Sequence, residues 1–439
     1  MFSDDGSLSH VTCEGSKHSR KYIIVTADGL PYKQMIKLIS DVFLCATCGK
    51  ELSYIADVTD HMKTHRHMDF YQKFGNILPN VGQFHYSLTM LRSYVKLVWD
   101  INFSELCKSV HFESPKAQIV QQKVTDFHKS LDTFRISYEA KLRELAYPFV
   151  QYAIEHNVST SIESYYMWKK FFVKNQNYNL VHDLEEIFGT SFSLYHSSLR
   201  ANNFGISEIA KRAFSPLFHI NNNTNYSVID IHTDYVDMMC KTNAPELHQY
   251  LSKRKCTNNT GTEFNSEPYD ERHEEFNKRG LNMFDIRNIE DFQKAFLLVD
   301  EYDNVKSACF EDMNVKPLGG VNSPNLPNYE PNIAKMRKCM RKNNYLNDPY
   351  EEKPLQALVT KAELSPVLLE IKEVAKKQRS ENILNVIRYN EFESGSTKGG
   401  GIKIFNEESD MLKKDKKETQ VEILIAAEED IDKREFFRE

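Results

Sequence analysis

Four residues set the tightest constraint on this chain: Cys45, Cys48, His61 and His65 stand in the spacing C-x2-C-x12-H-x3-H. Two cysteines separated by two residues present a thiolate pair from a tight turn. Two histidines one helical turn apart present imidazoles from one helix face. Such a set closes a tetrahedron around Zn²⁺. Phe43, Leu52 and Val58 fall where a hairpin and a helix would need apolar contacts. A segment of ~25 residues buries too little surface to fold alone, so the metal would supply the folding free energy.

Phe43, Cys45, Cys48, Leu52, Val58, His61 and His65 together resemble the two-Cys/two-His zinc finger family, over residues 43–67. The resemblance implies a small ββα unit and a bound zinc ion. His67 complicates the ligand set. With His61 it gives H-x5-H, which is similar to the matrin and U1 type of finger found in RNA-processing proteins. The fourth ligand is therefore His65 or His67.

In DNA-reading fingers, side chains just before the helix and at its third and sixth positions reach the bases. Here those positions fall on Tyr54, Asp57 and Asp60, which puts two acids toward a polyanion. Across residues 41–70, Lys50, Lys63 and Arg66 stand against Asp41, Glu51, Asp57, Asp60 and Asp69. That balance gains nothing from counterion release. A docking or structural role for the finger is expected ahead of base reading.

At 439 residues and a net charge of −6, the chain has room for several domains and no global basic field. Residues 1–10 contain no apolar core of a signal peptide. No run approaches the length of a membrane span. The cysteines outside the 45/48 pair are single and scattered, which suits a reducing compartment. The expectation is an intracellular protein without membrane association, cytoplasmic or nuclear.

The expected fold class is mainly α. Residues 1–40 form an N-terminal segment with a short β-like run at 21–26 and a turn at Gly29-Leu30-Pro31, ahead of a finger at 41–70. A helical domain follows at 85–310. Within it, Ser114-Pro115 reads as a helix start, and apolar residues from Ile119 to Leu145 recur at steps of three and four, predicting one long amphipathic helix. Further helices are expected at 162–174, 178–187, 206–217, 227–239 and 289–305. A proline-bearing linker spans 311–345, and residues 346–439 hold a helix at 354–379 and a charged, mobile tail. The basic residues Lys335, Arg337, Lys338, Arg341 and Lys342, and a second group at Lys376, Lys377 and Arg379, are candidate import or phosphate-contact patches that favour the nucleus.

Leu199-Arg200-Ala201-Asn202-Asn203-Phe204, His232-Thr233-Asp234-Tyr235-Val236-Asp237-Met238 and Pro268-Tyr269-Asp270-Glu271-Arg272-His273-Glu274-Glu275-Phe276-Asn277 resemble a set of transposon-derived invertebrate proteins. The resemblance covers residues 162–280. It implies a zinc finger followed by a helical domain, and it carries no catalytic residues.

A transposase-like nuclease would need three carboxylates around Mg²⁺. Asp270 and Glu274 share a helical spacing, and Asp230 and Asp300 each end an apolar run. The order Asp, Glu, Asp and the helical flanks argue against that enzyme, and a helix-start acid cluster is the plainer expectation. No phosphate loop, dinucleotide fingerprint, nucleophile elbow or H-E-x-x-H motif is present. The sequence therefore points to a zinc-binding protein that acts by binding protein or nucleic acid, with no small-molecule substrate evident. An Mg²⁺-dependent nuclease, or its inactive remnant, is the alternative.

Overall fold

A computed structural model describes residues 23–45, 48, 50–52, 61, 70–73, 77–221, 223–253, 255–258, 263–272, 274, 305, 308 and 328–389. The protein is mainly α. The elements run β1 (Ile23–Ala27), α1 (Gly29–Asp41), β2 (Phe43–Cys45), β3 (Glu51–Leu52), β4 (Phe70–Gln72), β5 (Ile77–Val81) and α2 (Gln83–Val98). A π-helical turn at Trp99–Phe103 leads into α3 (Ser104–Ser109), α4 (Pro115–Lys123), α5 (Phe127–Glu155), α6 (Ile162–Phe172) and α7 (Gln176–Leu184). A second π turn, Glu185–Gly189, precedes α8 (Thr190–Arg200), α9 (Phe204–Phe214), α10 (Pro216–Ile220), α11 (Thr224–Asn243) and α12 (Pro245–Lys253). The short strands β6 (Cys256–Thr257) and β7 (Glu267–Pro268) pair with each other. Last come α13 (Glu330–Lys342), a 3₁₀ turn at Pro366–Glu370 and α14 (Ile371–Tyr389).

The described residues divide into two compact units of interleaved segments: the first from those up to Leu91, from Ser191 to Asn328 and from Gln378 to Tyr389, the second from Arg92–Thr190 and Tyr329–Lys377. In the first unit β1 and β5 pair in parallel, from Ile23 opposite Ile77 to Ala27 opposite Val81. Parallel neighbours need a crossover, and α1 begins it, packing on α11. The strands β3, β2 and β4 form a separate sheet within the same connection. The aromatic richness of the sequence is used here: the buried Tyr86 ring lies 5.5 Å from those of Tyr195 and Phe218 and 5.8 Å from that of Tyr226. Such edge and tilted contacts add to plain area burial.

In the second unit α5 packs on α13, with Ala140, Leu145, Phe149, Trp168, Tyr178 and Met336 in the common core. Asn175 organises one corner of it. Its Oδ1 accepts from the Asn177 and Tyr178 amides, capping α7, while its Nδ2 donates to the carbonyls of Tyr345 and Asp348, each at 3.1 Å. A fully buried ion pair crosses the same unit. Lys141 Nζ donates to Glu185 Oε1 at 2.8 Å and to the Tyr94 hydroxyl at 3.2 Å. Glu185 opens the π turn, and a Cβ on Gly189 would come within 3.0 Å of its Oε2, so that side chain needs glycine there.

Several sequence expectations change. The helix predicted from Ser114 to Leu145 is two helices: Val124 adopts φ 51°, the left-handed region, which ends α4, and Asp126 then caps α5 through the Lys129 amide. Ser114 does cap α4, accepting from Ala117 N at 3.2 Å, with Pro115 at the first position. The turn expected at Gly29–Pro31 is instead the first turn of α1, capped by Asp28. The helix expected over 354–379 is irregular up to its 3₁₀ turn and helical only from Ile371. The helix expected at 289–305, apart from Val305, residues 311–327 of the expected linker and the charged tail lie outside the described residues, whereas residues 330–342 of that linker form α13, with Ile333, Met336 and Met340 buried.

Candidate functional site

The candidate zinc ligands begin on the β2–β3 hairpin. Phe43 pairs with Leu52, and Cys45 N donates to Lys50 O at 3.1 Å, so the chain reverses tightly around Cys48. Cys45 is buried, Cys48 is exposed, and His61 is helical and partly exposed. Cys48 Sγ lies 3.3 Å from His61 Nε2, and the ligand atoms of all three residues are within 4.8 Å of one another. Around one zinc ion, bond lengths of ~2.3 Å to sulfur and ~2.0 Å to nitrogen put a sulfur and a nitrogen ligand about 3.5 Å apart. The donor set fits the metal. His65, His67, Val58 and the rest of the expected helix lie outside the described residues. The sheet gains a third strand that the ββα pattern does not include, β4, antiparallel to β2 with Cys45 opposite Phe70.

A second cluster forms at the carboxyl ends of β1 and β5. Asp28 directly follows β1, Gly82 directly follows β5, and His85 lies in the first turn of α2. Asp270, at the start of a helical turn at 269–272, reaches across to cap α2. Its Oδ1 accepts from Phe84 N at 3.1 Å and its Oδ2 from His85 N at 3.0 Å. His85 Nδ1 lies 3.0 Å from the same Oδ2, while its Nε2 faces Glu274 at 3.4 Å and Asp28 at 4.0 Å. The hydrogen bond to Asp270 leads the causes that raise the His85 pKa, with the charges of Asp28, Asp270 and Glu274 adding to it against the opposing effect of burial. Asp28 also accepts from Tyr226 at 2.7 Å. Three carboxylates thus surround one imidazole at the carboxyl ends of the two-stranded β1–β5 pair.

Asp270 and Glu274 therefore come together, but Asp230 is bound elsewhere. It is fully buried inside α11, 3.3 Å from His219 Nε2 and 2.8 Å from Arg379 Nε. Burial would raise its pKa, yet His219 and Arg379 hold it below the usual carboxylate range. Asn382 meets His219 Nδ1 at 2.8 Å on the other side of the ring, so the imidazole has a partner on each nitrogen. Asp300 and His273 lie outside the described residues. Asp28 and His85 escaped the sequence reading. The rule that flagged Asp230 and Asp300, an acid ending an apolar run, finds Asp28 after Ile23–Ala27 when applied there.

The basic group on α13 has local partners. Arg337 Nε donates to Glu144 at 2.7 Å, Arg341 Nε to the same carboxylate at 2.8 Å, and Lys335 Nζ lies 2.6 Å from His111 Nε2. Lys338 and Lys342 are exposed. In the second group, Lys376 and Lys377 are exposed, whereas Arg379 is committed to Asp230 and Asp234. A further convergence, His182, Asp183 and Glu186, already contains a cation: Lys169 Nζ sits 2.7 Å from both His182 Nδ1 and Asp183 Oδ1.

Comparison with known protein families, with curated proteins and with solved structures finds no match to this chain. No helix among the described residues is long and apolar enough to cross a membrane.

Proposed function

We propose that the chain is a zinc-binding protein in which Cys45, Cys48, His61 and either His65 or His67 hold one ion, and that it acts by binding protein or nucleic acid. The convergence of the three described ligand atoms carries this reading. The ion would staple a hairpin too small to stand alone. The acids at 57 and 60 favour a docking surface over base reading. The resemblance at 162–280 and the exposed Lys338, Lys342, Lys376 and Lys377 support a transposon-derived, nuclear protein. Metal analysis of the purified chain tests the site. One equivalent of zinc, lost in Cys45→Ser, is expected, and substoichiometric zinc indifferent to that change would sink it. Titration with DNA and RNA across a salt series then separates a nucleic-acid partner from a protein one.

A second reading is divalent-cation-dependent cleavage of a phosphodiester. One observation favours it: Asp28, Asp270 and Glu274 meet around His85 at the carboxyl ends of parallel strands. Asp28 and Asp270 have helix-capping duties as well, so Glu274→Gln is the clean variant. Mg²⁺- or Mn²⁺-dependent cleavage that this change abolishes would establish the reading. Absence of cleavage by the wild-type chain with either ion would end it.

A further inference from the structure

The first unit contains a pocket of about 410 Å³ bounded by the end of β5, α9, α11, α12 and Lys255. Four cationic side chains line it, Lys211, Arg212, Lys241 and Lys255, against two carboxylates, Glu208 and Asp237. That excess stands out in a chain of net charge −6.

Each carboxylate is shared among several cations. Glu208 lies 2.5 Å from Lys255 Nζ and 3.7 Å from Lys211 Nζ. Asp237 takes Arg212 at 2.9 Å, Lys241 at 2.6 Å and His248 at 2.7 Å. Arg212 also faces Asp234 at 3.5 Å. Burial would raise the Glu208 pKa, but the two lysines outweigh it and hold the acid far below the carboxylate range. One carboxylate cannot neutralise both ammonium groups. Lys211, only 5% exposed, spends one N–H on Thr233 Oγ1 at 2.8 Å, and Glu208 is beyond hydrogen-bond range of it.

The rest of the wall suits a flat or apolar body. Phe204 carries Lys255 over its ring at 5.7 Å, and Ile209, Val236 and Leu251 are among the apolar side chains of the lining. The volume is that of ordinary small-molecule sites. The positive excess around Glu208 matches a phosphate monoester, which carries nearly two negative charges at neutral pH and is bound by lysine as a point charge.

We infer that this pocket is a site for a phosphate monoester attached to an aromatic body, of the nucleoside monophosphate type, with Lys211 and Lys255 seating the phosphate beside Phe204. The same chemistry occurs in a free nucleotide and at the 5′-phosphorylated end of a nucleic acid strand.

The test is calorimetric titration of the full chain with inorganic phosphate, adenosine, adenosine monophosphate, and a short oligonucleotide with and without its 5′-phosphate. Adenosine monophosphate is expected to bind at least tenfold more tightly than adenosine or phosphate, and Lys255→Gln to weaken it at least tenfold. Lys255 is the more exposed lysine. An unchanged thermal midpoint confirms that this variant folds, and protection of Lys255 from amine acylation by the nucleotide reads the site without any variant. Binding of the 5′-phosphorylated oligonucleotide, but not its dephosphorylated form or the nucleotide, would assign the site to strand ends. Equal binding of both oligonucleotides with no nucleotide binding, equal affinity for adenosine and its monophosphate, silence from every probe, or binding that Lys255→Gln leaves intact would overturn the inference.

Discussion

Asp270 fills the space beside Gly82 that a side chain there would need. A Cβ on Gly82 would lie within 3.0 Å of the Asp270 carboxylate, which reaches past it to cap α2. The glycine is there for room, and the acid there to accept from the first-turn amides of Phe84 and His85.

Asp270→Ala is expected to cost about 1 kcal/mol, the usual value of a lost N-cap. Gly82→Ala should cost about 1–3 kcal/mol through overpacking against that acid. The two losses should not add, because removing the carboxylate also removes the clash. Chemical denaturation of both singles and the double variant measures the coupling; strict additivity would contradict the geometry.

His85 gives a pH dependence of definite sign. Its folded-state pKa is raised above the ordinary ~6.5 of an unfolded chain. The stability it contributes is therefore complete below about pH 6.5 and is lost as pH rises through the raised value. The gap in thermal midpoint between the wild type and His85→Gln should be widest near pH 5.5 and narrow toward alkaline pH. A gap that widens with rising pH would refute the assignment.

Lys141→Met should destabilise the second unit by about 3–5 kcal/mol, since it leaves the buried Glu185 carboxylate with the Tyr94 hydroxyl but no counter-charge. Lys141→Met combined with Glu185→Gln should lose much less. Urea titrations of the three proteins decide between this and a pair of no consequence.

Zinc removal by a strong chelator is expected to alter the hairpin and leave the helical body folded. Far-ultraviolet circular dichroism should change little, while proteolysis becomes faster between residues 45 and 70. Global loss of helix on chelation would show that the metal supports the whole chain.

How much of this was legible in the sequence depends on range. Helix starts with local caps were readable, as Ser114 with Pro115 shows, because every atom involved lies within a few positions. The break at Val124 was not, since a β-branched residue in left-handed backbone runs against its own propensity. The grouping of Cys45, Cys48 and His61 was readable because the chemistry proposed for them imposes a spacing. The cluster on His85 was only half readable: Asp270 and Glu274 share a helical spacing, but Asp28 and His85 join them through strand pairing. The basic group at 335–342 looked like an open patch because Glu144, which binds Arg337 and Arg341, lies nearly two hundred positions earlier.

The parallel pairing of β1 with β5 has one more consequence. The stretch between Asp41 and Ile77, hairpin and candidate ligands included, hangs from α1 and β5, which the packing of α1 on α11 and the strand ladder already hold in place. The entropic cost of such a tether grows by only ~0.6 kcal/mol for each doubling of its length. The intervening stretch is thus an exchangeable cassette. Lengthening it, shortening it or swapping its cargo would change what the molecule reaches while leaving its foundations nearly indifferent.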